Sequence, residues 1–358
     1  MAIAKSAYEK AAPVAIGLCE DSEAAQWNRY VERHPRGSLF HLSAWGEAIR
    51  AAYGYESAHL VAKRGGEIVG GLPLIDVRSP LLGRALISTA FSVGGGPLGE
   101  NDDIIRSLGE AALREGEKRR AGYVEIRSDE VALCDWPRKE GKYANFTMTL
   151  PQNEEDHLRA IPKRRRAEIR KALAAHKSGA LRCYVKNDPD RFYDLYARSL
   201  RRLGTPVFAK KYLRTLMDAF SDRIELSFVD YEGSPAAALL SFYCKDRVHP
   251  YYVGAASCAR TARAHELLYW DLMRRAAARG ILTFDFGRSK LGTGAYHFKK
   301  LWGVEAEPVV YRCRLVKARA APDVSPTNPK FSIFADLWKR MPLAAANRLG
   351  PLLAPNFP

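Results

Sequence analysis

Residues 58–75 read AHLVAKRGGEIVGGLPLI, and residues 224–243 read IELSFVDYEGSPAAALLSFY. Each stretch is a pair of strand-like runs around a short turn, Gly65-Gly66 in the first and Glu232-Gly233 in the second, which is the pattern of a β-hairpin. An amphipathic helix follows each hairpin. The first runs from about Ile104 to Arg120, with Ile105, Leu108 and Ala112 on one face. The second runs from about His265 to Arg279, with Leu268, Leu272 and Ala276 on one face. Gly122 and Gly280 then suit left-handed helix caps. A short strand comes next, Tyr123–Ile126 or Leu282–Phe286, and both strands run into Arg-Ser, Arg127-Ser128 and Arg288-Ser289. The same order of elements recurs at an offset of about 160 residues, so the chain reads as an internal duplication. An α/β (α+β) fold is expected, with mixed sheets flanked by helices in two domains. The seam falls where Pro, Gln, Asn and acids cluster, Pro151 to His157. The expected boundaries are 14–152, 153–319, and a tail at 320–358.

Composition narrows the function classes. The chain has 358 residues, 47% of them hydrophobic and 27% charged, as in a folded protein of two ordinary domains. Lys and Arg number 56 against 40 acids, for a net charge of +16. Such a field favours nucleic acid, phosphorylated small molecules or an anionic membrane face. The six cysteines are scattered, with no CxxC pair and no histidine at metal-ligand spacing, so neither a metal nor a bound cofactor is expected. With no apolar leader core in Met1–Glu20, the cysteines point to reduced thiols in the cytoplasm. No stretch approaches the roughly 18 apolar residues of a spanning helix. The tail opens with a proline-rich linker, Ala321 to Pro329, followed by an apolar stripe of Phe331, Phe334, Leu337, Trp338 and Met341. That helix reads either as packed back on the body or as lying on the inner face of the cytoplasmic membrane, with Lys339, Arg340 and Arg348 at the headgroups.

Two constellations could carry chemistry. Arg159 to Lys177 holds eight cations against one acid, Glu168, in 19 residues. Ile161-Pro162 before it and Gly179 after it mark a helix. Lys163, Arg164, Arg166 and Arg170 read as contacts to phosphate or RNA backbone, or else as a solvated cationic face. The second constellation is FDFGRSK at 284–290, followed by Gly292, Gly294, Tyr296, Phe298, Lys299, Lys300 and Trp302-Gly303. In an alternating strand, Asp285 points away from Phe284 and Phe286, toward a polar cleft or a helix end. The glycines allow close approach of backbone to a ligand, and rings beside cations suit a base next to a phosphate. Arg288 and Tyr296 are the substrate-binding candidates there. An absence is equally informative. Acyl-CoA N-acetyltransferases cradle pyrophosphate in a loop patterned Gln/Arg-x-x-Gly-x-Gly/Ala. The matching stretch here, Ser257 to Ala264, has arginines but no glycines. GxSxG, Walker and HExxH patterns are also missing, which removes hydrolase, NTPase and zinc-protease readings.

The run from Phe284 to Gly303 resembles the C-terminal signature of FemAB-like proteins, and more narrowly the branch found with exosortase/PEP-CTERM exopolysaccharide systems. Leu39-Phe-His-Leu-Ser-Ala-Trp45, with Arg50 and Gly54, is similar to that family's N-terminal motif. Pro162 to Ala172, Asn328 to Pro342 and Leu349-Gly-Pro351 are similar to its later motifs. The resemblance implies two GNAT-like domains packed around a cleft. It implies transfer of an amino acid from aminoacyl-tRNA to an amine of a peptidoglycan precursor, without a metal. The family's Phe-Lys pair falls on Phe298 and Lys299. Lys299 would stabilise the oxyanion and the leaving ribose oxygen, and Phe298 would shape the site of the tRNA end. Trp45 and Arg50 fall on the substrate side of the first domain, with Lys210 or Lys211 as the second-domain counterpart. Tyr251 or Tyr252 would orient the acceptor, with Asp285 as a weak base.

Two departures from the family stand out. The long coiled-coil arm of the bridge-building enzymes is replaced by a short turn, Gly204 to Lys210. The branch also accompanies exopolysaccharide systems, which adds an amino sugar on a lipid-linked glycan to the muropeptide as a phosphate-bearing acceptor. Two rival functions stay open. One is an acyl-CoA-dependent N-acetyltransferase acting on an amino sugar. The other is a non-enzymatic basic adaptor for RNA or an anionic bilayer.

Overall fold

The computed structural model describes residues 12–80, 83–320 and 329–356. The proline-rich stretch 321–328, residues 1–11 of the N-terminal reading and the side chain of Phe331 lie outside the described residues. Both hairpins form. Gly65 and Gly66 take φ of 58° and 89°, and Glu232 and Gly233 take 49° and 75°. Two successive left-handed residues make the turn whose twist matches paired strands. The flanking strands are Leu60–Arg64 with Glu67–Leu72, and Ile224–Tyr231 with Ser234–Cys244.

The duplication is visible in strand order. In the first half, Ile75–Ser79, Gly83–Ser88 and Tyr123–Ile126 lie side by side, the first pair antiparallel and the second parallel. In the second half, Ser234–Cys244, Arg247–Ala255 and Thr283–Asp285 repeat the pattern, antiparallel and then parallel. Helices Asp102–Lys118 and Ala264–Ala278 provide the crossovers to the parallel partners. One expectation needs correction. Gly280 does take a left-handed φ of 76°, but in the first half Arg120 takes it, at 56°. Gly122 is required for space instead, because a Cβ there would meet Ala318 Cβ at 3.2 Å and Arg84 O at 3.3 Å.

The seam is crossed twice. Thr147–Thr149, from before it, pairs antiparallel with Thr283–Asp285 in the second sheet. Tyr311–Leu315, from the far end of the second half, pairs antiparallel with Tyr123–Ile126 in the first. Each half thus lends its last strand to the other. The seam itself carries a helix, Glu154–Ala160, capped by Asn153. Between the halves lies an aromatic core. Trp45 is fully buried and packs on Phe220, Phe242 and Tyr251. Tyr53 packs on Phe91 and Tyr212.

The tail forms helices Pro329–Arg340 and Leu343–Leu353, which pack back on helix Pro189–Leu203. Trp338 is buried, and Arg201 Nε donates to Met341 O at 2.7 Å. The chain end also reaches the first half, where Tyr55 Oη donates to Pro355 O at 3.2 Å. Among the described residues no helix is long and apolar enough to cross a membrane. All six cysteines are free.

Candidate active site

The site begins where two parallel strands part. Arg247 and Val248 pair with Thr283 and Phe284, and there the ladder stops. Pro250 has no N–H to offer it. Phe286 N instead donates to Phe146 O at 2.9 Å. The strands separate into a cleft of about 880 Å³. Pro250 to Val253 line one side and Phe286 to Ser289 the other, with helices Pro189–Leu203 and Gly294–Lys300 above. In the first half the matching strands stay paired over four residues, from Ala85↔Tyr123 to Ser88↔Ile126. The cleft is therefore built from the second half, and the first half contributes only Phe91 and Val93. This corrects the expectation of a groove between the two domains, because aromatic packing fills that space.

Lys299 is on the helix Gly294–Lys300 and is 8% exposed. Thr293 caps the helix, its hydroxyl accepting from Tyr296 N. The Lys299 Nζ donates to Gly287 O at 2.8 Å and to Arg288 O at 3.1 Å. Gly287 has φ of 71°, a turn that other residues adopt at a cost, and it presents two successive carbonyls to the ammonium. An ammonium has three donors, so one remains for a ligand. Burial lowers the Lys299 pKa to about 8, with Asp285 opposing the shift and Arg288 adding to it.

Beside Lys299 are Asp285 and His249, neighbours across the parting strands. Asp285 Oδ1 accepts from Gly287 N at 2.8 Å and from Asn145 Nδ2 at 3.4 Å. Its Oδ2 is 3.5 Å from His249 Nδ1. His249 is 6% exposed and lines the cleft. Burial pushes its pKa below the ordinary value, with Asp285 opposing, so the ring is neutral near pH 7. Phe298 lines the cleft with its ring edge-on to Tyr269 at 5.2 Å.

One member of the basic run enters this site. Arg165, buried on helix Lys163–Lys177, pairs with Glu266, and its Cζ is 4.9 Å from the Phe298 ring and 5.2 Å from that of Trp302. Lys163, Arg164 and Arg170 face solvent instead, and Arg166 does not line the cleft. Sequence reading did not single out Arg165, although its spacing carried the signal. With Ile169 and Ala172 it completes the helix's inward face at spacings of four and three. Sequence reading also missed His249 and His265. Neither sits in a motif, and only the fold brings them to the cleft.

The remaining candidates divide. Tyr251 and Tyr252 line the cleft, but the Tyr251 hydroxyl donates to Phe91 O at 3.2 Å and so ties the halves together. Arg288 edges the cleft and is clamped between Tyr143 at 4.9 Å and Tyr311 at 5.9 Å. Its duplicate, Arg127, lies 5.7 Å from the same Tyr311 ring. Tyr296 packs on Phe146 and does not line the cleft. Trp45 is corrected from substrate contact to core, since its indole N–H donates to Ala90 O at 3.2 Å in the buried interior. Arg50 and Lys211 are exposed away from the cleft, and Lys210 pairs with Asp190 at 2.8 Å. Among the described residues no group of His, Cys, Asp or Glu is arranged to hold a metal ion.

Residues 163–300 match the model of the acetyltransferase (GNAT) domain family. No curated protein matches the sequence significantly. Among solved structures, FemX is similar at 16% identity, covering 82% of this chain and 96% of its own, with a TM-score of 0.66. A tandem GNAT protein from the clavulanic acid biosynthesis pathway is similar at 13% identity, covering 87% and 100%, with a TM-score of 0.55. L-PGS from Bacillus licheniformis is similar at 14% identity, covering 90% and 98%, with a TM-score of 0.53. The chain is built on the tandem GNAT fold, with an acetyltransferase-type domain in its second half.

Proposed function

We propose that this protein is a FemAB-like N-acyltransferase. In this reading it moves an aminoacyl or acyl group onto an amine of a cell-envelope precursor of exopolysaccharide or peptidoglycan type. The observation that carries this reading is the buried Lys299 ammonium, with two donors spent on backbone carbonyls and a third left at the cleft. The acceptor amine attacks the donor carbonyl carbon, a C–N bond forms, and the carbonyl oxygen becomes an oxyanion facing Lys299. Neutral His249, backed by Asp285, takes the proton from the attacking nitrogen. As the C–O bond to the leaving ribose or other alcohol breaks, that proton passes to the departing oxygen, and the site returns to its starting state.

The donor side favours an aminoacyl ester. Acetyl-CoA enzymes hold pyrophosphate at the helix N-terminus that corresponds here to Ala264–Ala278. In this chain that first turn already carries a carboxylate, Glu266, bound by Arg165. The preceding Arg263 sits at φ 59° with its Nε on Glu168 at 2.6 Å. A second reading, acyl-CoA as donor and an amino sugar as acceptor, is favoured by the match of residues 163–300 to the acetyltransferase model. The similarity in fold to L-PGS supports an acceptor of the envelope. A place at the cytoplasmic face of the inner membrane follows from such an acceptor.

A thermal-shift panel tests the reading. A stable aminoacyl-adenosine analogue and a UDP-amino sugar should each raise the melting temperature, and Phe298→Ala should weaken the first shift. A shift with acetyl-CoA alone would move the assignment to the second reading. Stabilisation by RNA or anionic vesicles alone, with no small-molecule shift, would move it to the adaptor.

A further inference from the structure

We infer that the outward face of the C-terminal helix pair is a docking surface for an anionic bilayer, and that it sets the mouth of the cleft against the lipid. The inference rests on the acyltransferase reading only for what the mouth receives. Helices Pro329–Arg340 and Leu343–Leu353 bury Trp338, Ala346 and Gly350 against the body. Their opposite side leaves Ile333 and Leu337 63% exposed, Leu349 41% and Leu352 68%. Ile333 and Leu337 are four apart and Leu349 and Leu352 three apart, so each pair shares a helix face. Two fifths or more of each side chain stays in water, apolar area that a covering surface would bury.

The surface continues into the cleft. Leu203, 63% exposed, lines the cleft and ends the helix on which the tail sits. The next residue, Gly204, is packed so closely on the tail that a Cβ would lie 2.7 Å from Ala335 O. Leu301, 45% exposed, lines the cleft as well. An acceptor with a lipid anchor could therefore present its head group to Lys299 while its chain stays in the bilayer.

Charge selects the occupant. From 333 to 356 the chain carries Lys339, Arg340 and Arg348 against one acid, Asp336, which is already paired with Lys339 at 2.9 Å. A second copy would set these cations against their own kind on a protein of net charge +16. An anionic leaflet attracts them, and each cation at the surface strengthens binding about five-fold. Apolar side chains with flanking Lys and Arg make the pattern of a helix lying in the interface.

The test is co-sedimentation of the full-length protein with phosphatidylcholine vesicles, with and without 30 mol% (about one lipid in three) phosphatidylglycerol. The protein should pellet with the anionic vesicles and much less with the neutral ones. Combined Ile333→Ser, Leu337→Ser, Leu349→Ser and Leu352→Ser should cut the partition coefficient at least about ten-fold, with the melting temperature unchanged. Combined Lys339→Glu, Arg340→Glu and Arg348→Glu should do the same without touching the apolar face. Lys299→Met should bind vesicles like the parent, so loss of transfer and loss of docking are read separately. No binding to anionic vesicles would overturn the inference. So would binding by either combined variant equal to that of the parent, or a dimer in solution that the serine variant dissolves.

Discussion

Replacing Lys299 with methionine keeps the length and most of the volume of the side chain and removes its charge. Two of the ammonium's donors hold Gly287 O and Arg288 O, and the third is the one assigned to the oxyanion. Loss of one such donor should lower kcat about 10²- to 10³-fold, or about 3–4 kcal/mol of transition-state stabilisation. The two carbonyls lose their partner, but they line an open cleft that water can enter. The fold should therefore survive, and KM should change little. The assay is steady-state transfer followed by mass spectrometry of the acceptor, repeated across pH.

The oxyanion role needs the ammonium charged, and its pKa is lowered to about 8. Activity should therefore fall as pH rises through about 8. Lys299→Arg stays charged and should lose that alkaline limb, at reduced rate. Stability has the opposite sign. The folded protein gives up this proton near pH 8 and the unfolded chain holds it until about 10.5, so stability rises between those values. Lys299→Met should lack that rise. A methionine variant within about three-fold of the parent, far less than such a donor supplies, would refute the reasoning. An alkaline limb that persists in the arginine variant would refute it equally.

His249→Gln should cost roughly 10²-fold in kcat and remove the acid limb of the profile, which in the parent lies below pH 6.5 because burial lowers the histidine's pKa. Arg165→Met leaves the half-enclosed Glu266 carboxylate without its partner and the Phe298 and Trp302 rings without their cation, and should destabilise the fold by about 3–5 kcal/mol, read by urea unfolding. Gly254→Ala would put a Cβ 2.5 Å from Tyr196 N and should displace helix Pro189–Leu203. A lower melting temperature with raised KM is the expected result. Residues 153–319 made alone lack the strand Thr147–Thr149 and carry Tyr311–Leu315 without its partner. That fragment should give poor amide-proton dispersion by NMR, whereas a cooperative native spectrum would show that the strand exchange is dispensable.

The hairpins, the crossover helices and the short strands after them were legible in the sequence, because period and turn chemistry are local signals. Gly65-Gly66 and Glu232-Gly233 announce their turns, and Leu268, Leu272 and Ala276 announce a helix face. The strand exchange was not legible. Thr147–Thr149 and Tyr311–Leu315 look like strands of their own halves, and only long-range pairing assigns them to the other. For the site, Phe298, Lys299 and Asp285 came from a motif, and the fold brings all three to the cleft. Trp45 carried a motif for a different reason, since it wedges the halves together. His249 became part of the site only because Pro250 ends a two-residue ladder and lets the strands part. In the basic helix the exposed cations face solvent, where bulk charge announces them, and the one that enters the cleft, Arg165, is on the apolar side.

The central claim is that an amide bond is made in the cleft under the Lys299 ammonium. Its most direct test is single-turnover transfer, with purified protein, labelled aminoacyl-tRNA or labelled acyl-CoA, and a panel of amino-sugar and muropeptide acceptors. The account predicts label in an amide on one acceptor class, formed by the parent and lost with Lys299→Met. Transfer that survives that substitution undiminished, or label that never leaves any donor, would contradict it.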